Sequence, residues 1–208
     1  MFSLTDGDFE GGILGCADGP ASFNAEAASQ GRHVVSCDPL YGYDGDEIRA
    51  RIDAVYPEML EQTRQNVHEF VWREFTSVDD VGRVRMKAME TFLSDYHAGR
   101  TAGRYLNAEL PALPFEPRSF GLALCSHFLF VYTDQLSEDF HVDALLEMVR
   151  VADEARVFPL VAMGGTPSKH LHPVAARLKE SGFDIRVERV PYEFVRGANE
   201  MMCIRKGG

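Results

Sequence analysis

The sequence predicts an α/β protein built on a doubly wound sheet, and three observations carry that expectation. Strand-like and helix-like segments alternate along most of the chain. The first short apolar run closes on a Gly/Pro turn that opens a helix. The second ends on an acid, Asp38, which lies about 20 residues past that turn, the spacing nucleotide-binding units use.

Taken in order, Gly12-Ile13-Leu14-Gly15-Cys16 reads as a short buried strand, followed by a turn at Gly19-Pro20. Ser22 to Gln30 is rich in Ala and Glu and stops at Gly31, a helix C-terminal signal. His33 to Cys37 is the second strand and Gly121 to Cys125 a later one. Phe140 to Val151 has helical apolar spacing at Phe140, Ala144, Leu145, Met148 and Val149. Ala155 to Met163 reads as a strand with Pro159 inside it, and a proline there demands a bulge or an irregular edge. Pro173 to Ser181 is a helix with proline near its start and Gly182 after its end. Asp184 to Val190 and Glu200 to Arg205 are two strands joined by a loop containing Gly and Asn.

Tyr41 to Arg104 differs from the rest. Ile48, Ile52, Val55, Tyr56, Met59, Thr63, Val67, Phe70 and Val71 recur at helical spacing, with Pro57 predicting a kink or a break into two helices. Ser77-Val78-Asp79-Asp80 resembles a capping box with Asp in place of Glu, and opens a second apolar stripe. The segment is expected as a helical insertion, 41–104, within one domain covering 1–208.

Composition narrows the partners. A net charge of -11 disfavours nucleic acid and anionic membrane, and points to a small molecule or a basic partner. No apolar stretch approaches the roughly 20 residues needed to span a bilayer. The acidic start, Met1 to Phe9, is not a secretory signal. Cys16, Cys37, Cys125 and Cys203 sit in or beside apolar runs without metal-ligand spacing, so they are expected as reduced, buried thiols in a cytoplasmic protein.

The segment Ile13 to Phe23 is where chemistry is expected. Glycine lets a ligand approach the backbone, and Asp38 can accept hydrogen bonds from ribose hydroxyls. By itself this suits NAD, FAD or S-adenosylmethionine. A later run, Glu109-Leu110-Pro111-Ala112-Leu113-Pro114-Phe115 and then the Phe120-led strand, adds to it. Together these motifs resemble the class I S-adenosylmethionine-dependent methyltransferases, over nearly the whole chain outside 41–104. The resemblance implies a Rossmann-like sheet of about seven strands ending in an antiparallel hairpin, with S-adenosylmethionine as cofactor. It departs where Gly15 stands for an acid and where Ala17 and Ala21 stand for glycines. Asp18 is expected to substitute for the acid, and the two alanines to alter the loop geometry.

The resemblance further implies roles. The loop Ala17-Asp18-Gly19 would hold the cofactor, Asp38 its ribose, Leu40 the adenine face, and Glu109 or Leu110 the adenine amino edge. Ser126 and His127 follow the fourth strand, where donor and acceptor meet. His127 is the candidate general base. His141, His170 and His172 have no diagnostic spacing, and no metal is expected. The function expected is methyl transfer to a small molecule. Alternatives are a binding protein without transfer activity and an NAD(P)-dependent oxidoreductase. Because the segment before Gly12 is short, 41–104 is expected as the substrate lid, with Tyr41, Tyr43 and Trp72 facing the acceptor. The competing role for that segment is a homodimer interface.

Overall fold

A computed structural model describes residues 1–207. Seven strands form one sheet: β1 (Ile13–Cys16), β2 (Val34–Cys37), β3 (Tyr105–Leu106), β4 (Phe120–Ser126), β5 (Ala152–Phe158), β6 (Phe183–Arg189) and β7 (Glu200–Lys206). Their order is β3-β2-β1-β4-β5-β7-β6. β7 runs antiparallel to both β5 and β6, and the remaining pairings are parallel. β1 and β2 are buried at every position, which is why they read as unbroken apolar runs rather than alternating ones. The winding direction changes between β1 and β4, so a crevice opens at their C-terminal ends.

Five helices accompany the sheet: α1 (Phe23–Ser29), α2 (Gly45–Gln65), α3 (Val78–Thr101), α4 (Glu138–Val151) and α5 (Leu171–Glu180). β5 stops at Phe158, directly before Pro159. The proline's missing N–H therefore falls outside the ladder, and the expected bulge is not needed. α2 continues through Pro57 as one helix of 21 residues, not two. Asp53 and Pro57 are both exposed, so water can satisfy the carbonyl that the proline leaves without a donor. At α3, Ser77 Oγ accepts the Asp80 N–H at 3.1 Å, but the Asp80 carboxylate turns to the Thr76 N–H at 2.9 Å. The box is therefore only half made.

α2 and α3 form the inserted unit between β2 and β3. Tyr41, Ile48, Ile52, Phe92, Tyr96 and Tyr105 make its core. Each such side chain contributes roughly 1.5–3 kcal/mol on burial. Gly82 lets the helices close: a Cβ there would lie 2.6 Å from Leu60 and Tyr56. The connection between α2 and α3 docks on the loop between β6 and β7. Phe70 stacks on Phe194 with ring centroids 4.6 Å apart, and the Val71 N–H donates to the Phe194 carbonyl at 2.7 Å. The insertion thus reaches from the β2–β3 side of the sheet to the β6–β7 side. Arg156 on β5 binds Asp8 at 2.5 Å and the Phe2 carbonyl at 3.2 Å, which ties the N-terminal segment to the sheet. The four cysteines are free and buried. No helix among the described residues is long and apolar enough to cross a membrane.

Candidate active site

The strand ends set the floor of the crevice. Cys16 of β1 aligns with Cys37 of β2 and Cys125 of β4. Just beyond, Ala17 and His127 take left-handed backbone angles, φ 56° and 54°. Neither is glycine, so each stores strain of order 1–3 kcal/mol, the kind that gathers where a loop must present its backbone. The Ala17 N–H donates to the Cys37 carbonyl at 2.9 Å, and the His127 N–H to the Phe158 carbonyl at 2.7 Å. The expectation that alanine would alter the loop is corrected at Ala17, which adopts the left-handed geometry anyway.

Gly19 is held from both sides. Its N–H donates to Asp38 Oδ2 and its carbonyl accepts the Tyr41 hydroxyl, each at 2.8 Å. Asp38 Oδ1 accepts the Leu40 N–H at 2.8 Å. Asp38 therefore joins the glycine loop to the end of β2, and each carboxylate oxygen keeps a further lone pair for a ligand.

Asp18 explains how the loop does without an acid at position 15. Its carboxyl lies against Gly15, where a Cβ added to that glycine would overlap it. The carboxyl thus occupies the space in which a side chain at position 15 would begin. A buried relay positions it: Arg104 binds Asn24 Oδ1, Asn24 Nδ2 donates to Ser36 Oγ at 3.1 Å, and Ser36 Oγ donates to Asp18 at 2.6 Å. Desolvation pushes the Asp18 pKa up to about 6; the Ser36 hydrogen bond opposes this and the Asp38 charge adds to it.

Three cavities meet here. The first, about 630 Å³, is lined by Ala17, Asp38, Pro39, Ala108, Glu109, Leu110, His127, Phe128, Tyr132 and Phe140 among others. The second, also about 630 Å³, lies beside Met1 to Leu4, Asp18, Ala21, Phe23, Leu124, Ser126 and His127. The third, about 320 Å³, runs between the glycine loop and the insertion and is lined by Asp18, Pro20, Ala21, residues of α2, and Arg85, Ala88 and Met89 of α3. His127 is common to the first two, and Asp18 and Ala21 to the last two. Ser126 Oγ lies 2.8 Å from His127 Nδ1. Burial, then the charges of Arg85 and the Met1 amino group, lower the His127 pKa to about 4, so the ring is neutral at pH 7.

Of the residues expected in the site, Ala17, Asp38, Glu109, Leu110 and His127 line one cavity, and Asp18 and Ser126 line its neighbour. Leu40 packs, partly buried, against the Tyr41 cluster, and its neighbour Pro39 lines the cavity. Tyr41 is 1% exposed and belongs to the insertion core, not to an acceptor surface. Trp72 is committed to the docked tip against Phe70 and Phe194, whereas Tyr43 is solvent-exposed. The N-terminal segment, expected to be too short to cover the site with helices, lines the crevice with Met1 to Leu4. His141 is buried between the Ser137 and Leu129 carbonyls at 2.7 and 3.0 Å, away from His127. No group of three or more His, Cys, Asp or Glu side chains suited to a metal occurs among the described residues. Arg85, Phe128 and Tyr132 were not anticipated. Arg85 carries no local signal, since on an amphipathic helix it reads as part of the polar face.

A sheet ordered 3-2-1-4-5-7-6, with an antiparallel seventh strand and its crevice at the ends of β1 and β4, is the fold of class I S-adenosylmethionine-dependent methyltransferases. The pyocyanin biosynthetic protein PhzM superposes with a TM-score of 0.51 at 12% identity, over 98% of this chain and 52% of that one. The mitomycin 7-O-methyltransferase MmcR superposes with 0.50 at 14% identity, over 99% and 51%. The chain therefore spans about half the length of these two structural relatives. No protein-family model matches it. The chain belongs to the same family as the uncharacterized protein MJ0045 of Methanocaldococcus jannaschii, with 31% identity over 207 residues, 99% of this chain and 90% of the relative.

Proposed function

We propose that the protein binds S-adenosylmethionine in the cavity at the ends of β1, β2 and β4 and transfers its methyl group to a small molecule. The observation that carries this reading is the convergence of Ala17, Asp38, Glu109 and His127 on one cavity at the winding switch of the sheet. The residues suit the group. About 630 Å³ is an ordinary ligand volume, Leu110, Phe128 and Phe140 supply apolar wall, and Asp38 supplies a carboxylate for hydroxyls. When bound, the cofactor supplies an activated methyl on sulfur, so the protein's task is largely positioning.

Asp38 would accept hydrogen bonds from the ribose, and Asp18 would offer its carboxylate to the amino-acid end. His127, neutral because it is crowded by protein, would accept a hydrogen bond from the acceptor's O–H or N–H and orient its lone pair. Its low pKa suits that role better than removing a proton in advance. We also assign α2 and α3 as the cover over the acceptor side, excluding water while the docked tip holds them shut.

Calorimetry with S-adenosylhomocysteine, S-adenosylmethionine and NAD(P) tests the reading. Binding of the first two and not the third is expected. Binding of NAD(P) without S-adenosylhomocysteine would replace it with an oxidoreductase. Release of S-adenosylhomocysteine during turnover separates a transferase from a binding protein.

A further inference from the structure

The groove between the glycine loop and the insertion is nearly all apolar. Ile52, Val55, Tyr56 and Met59 come from α2, and Ala88 and Met89 from α3. One cation stands on it: Arg85, three and four residues from Ala88 and Met89 and so on the same helix face. Other arginines close to the crevice are engaged, Arg104 with Asp95 and Arg156 with Asp8 and Glu154. Arg85 forms no hydrogen bond or ion pair with any described residue. Asp18 shares the groove but is turned to Ser36. The Arg85 side chain is exposed at the rim of the groove, and its pKa lies below the ordinary arginine value, chiefly through desolvation by neighbouring protein and against the opposing effect of Tyr192. Its charge is felt at His127.

An unpaired guanidinium on the rim of an apolar groove is placed to meet the anionic end of a ligand whose apolar body fills that groove. Its planar fork matches a carboxylate in two parallel hydrogen bonds. In a chain of net charge -11, an anion also needs a local cation to approach at all. We infer that Arg85 anchors a carboxylate in this groove, and that the methyl acceptor is an acid whose apolar body lies along α2 and α3. The inference rests on the methyltransferase reading, because the groove joins the His127 cavity at Asp18 and Ala21. The same chemistry has a second source, the carboxylate at the amino-acid end of the cofactor.

The test compares the parent protein with Arg85→Met, which keeps the length and removes the fork. The probes are 2-naphthoate and its neutral counterpart 2-naphthamide, titrated by calorimetry with and without S-adenosylhomocysteine. Arg85→Met is expected to weaken 2-naphthoate by about tenfold or more, the scale of a charge-assisted hydrogen bond, and to leave 2-naphthamide unchanged. A second arm compares S-adenosylhomocysteine with 5′-methylthioadenosine, which lacks the carboxylate. Equal affinities of parent and variant for both are expected. Loss of S-adenosylhomocysteine affinity alone, with 2-naphthoate unaffected, would give Arg85 to the cofactor and overturn the acidic acceptor. No effect on either carboxylate overturns the anchor altogether. If the parent fails to bind S-adenosylhomocysteine, the methyltransferase reading fails, and the naphthoate contrast still reports on Arg85 by itself. Coincident thermal unfolding curves confirm that the variant is folded.

Discussion

The wall of the crevice that carries Ala17, Asp38 and Glu109 is made of strand ends, whereas the wall that carries Ile52, Arg85 and Met89 is made of two inserted helices. The first wall is braced by short hydrogen bonds between adjoining strand ends, such as those from Gly19 and Leu40 to Asp38. The second depends on contacts remote in sequence, above all Phe70 and Trp72 against Phe194. The difference teaches that the strand-end wall can be rigid by construction, while the helical wall can open by undocking one tip. Local opening is available wherever a unit is held by few buried contacts.

His127 lines the strand-end cavity and gives the largest expected effect. His127→Ala should lower turnover by roughly 10²–10⁴-fold while leaving S-adenosylhomocysteine affinity close to that of the parent. An unchanged rate in steady-state kinetics would make it a packing residue. Phe194→Ala attacks only the docked tip. It should cost about 3 kcal/mol, the low end for truncating a buried phenylalanine. Hydrogen exchange would show this as lost protection at the Val71 amide, with β1 and β2 unaffected; equal loss across the sheet would erase the distinction between the walls.

Asp38→Ala attacks the other wall. It should weaken S-adenosylhomocysteine by on the order of 1.5–3 kcal/mol, with the tip still protected. Unaltered affinity in a folded variant would leave Asp38 as a loop brace only.

Asp18 gives the smallest effect, visible against pH. Its folded pKa, about 6, lies above the ordinary carboxylate value. Its contribution to stability is therefore fully present below about pH 4 and is lost as pH rises through about 6. Asp18→Asn does not titrate, so above pH 6 it should be more stable than the parent by on the order of 1–2 kcal/mol, after allowance for partial exposure. His127 acts in the opposite sense, its folded pKa of about 4 removing stability as pH falls from about 6.5. The two variants must be measured separately, by denaturant midpoints from pH 4 to 7. A difference for Asp18→Asn that does not change with pH would mean that the carboxyl is not desolvated.

Much of the strand-end wall was legible because its strands and turns are set by residues that stand close together in the chain. The apolar run Ile13 to Cys16 and the acid Asp38 announced strand, turn and strand end, and Glu109 and Leu110 followed from the motif. Tyr41 was misplaced for a physical reason. The 3-10 turn Pro39–Gly42 buries Tyr41 against Phe92, Tyr96 and Tyr105, residues far along the chain that no local pattern couples to it.

The sequence by itself determined every strand but the two-residue β3, together with the glycine turn, the strand-end acid and the inserted helices, because burial periodicity and turn chemistry are written within a few neighbouring residues. Only the tertiary structure decided that Asp18 lies over Gly15, that Met1 to Leu4 reach the crevice, and that Arg85 stands without a partner on an apolar groove. Each of those facts depends on which distant surfaces dock. Docking is set by the packing of whole elements, and a single helix face carries no record of what it will meet.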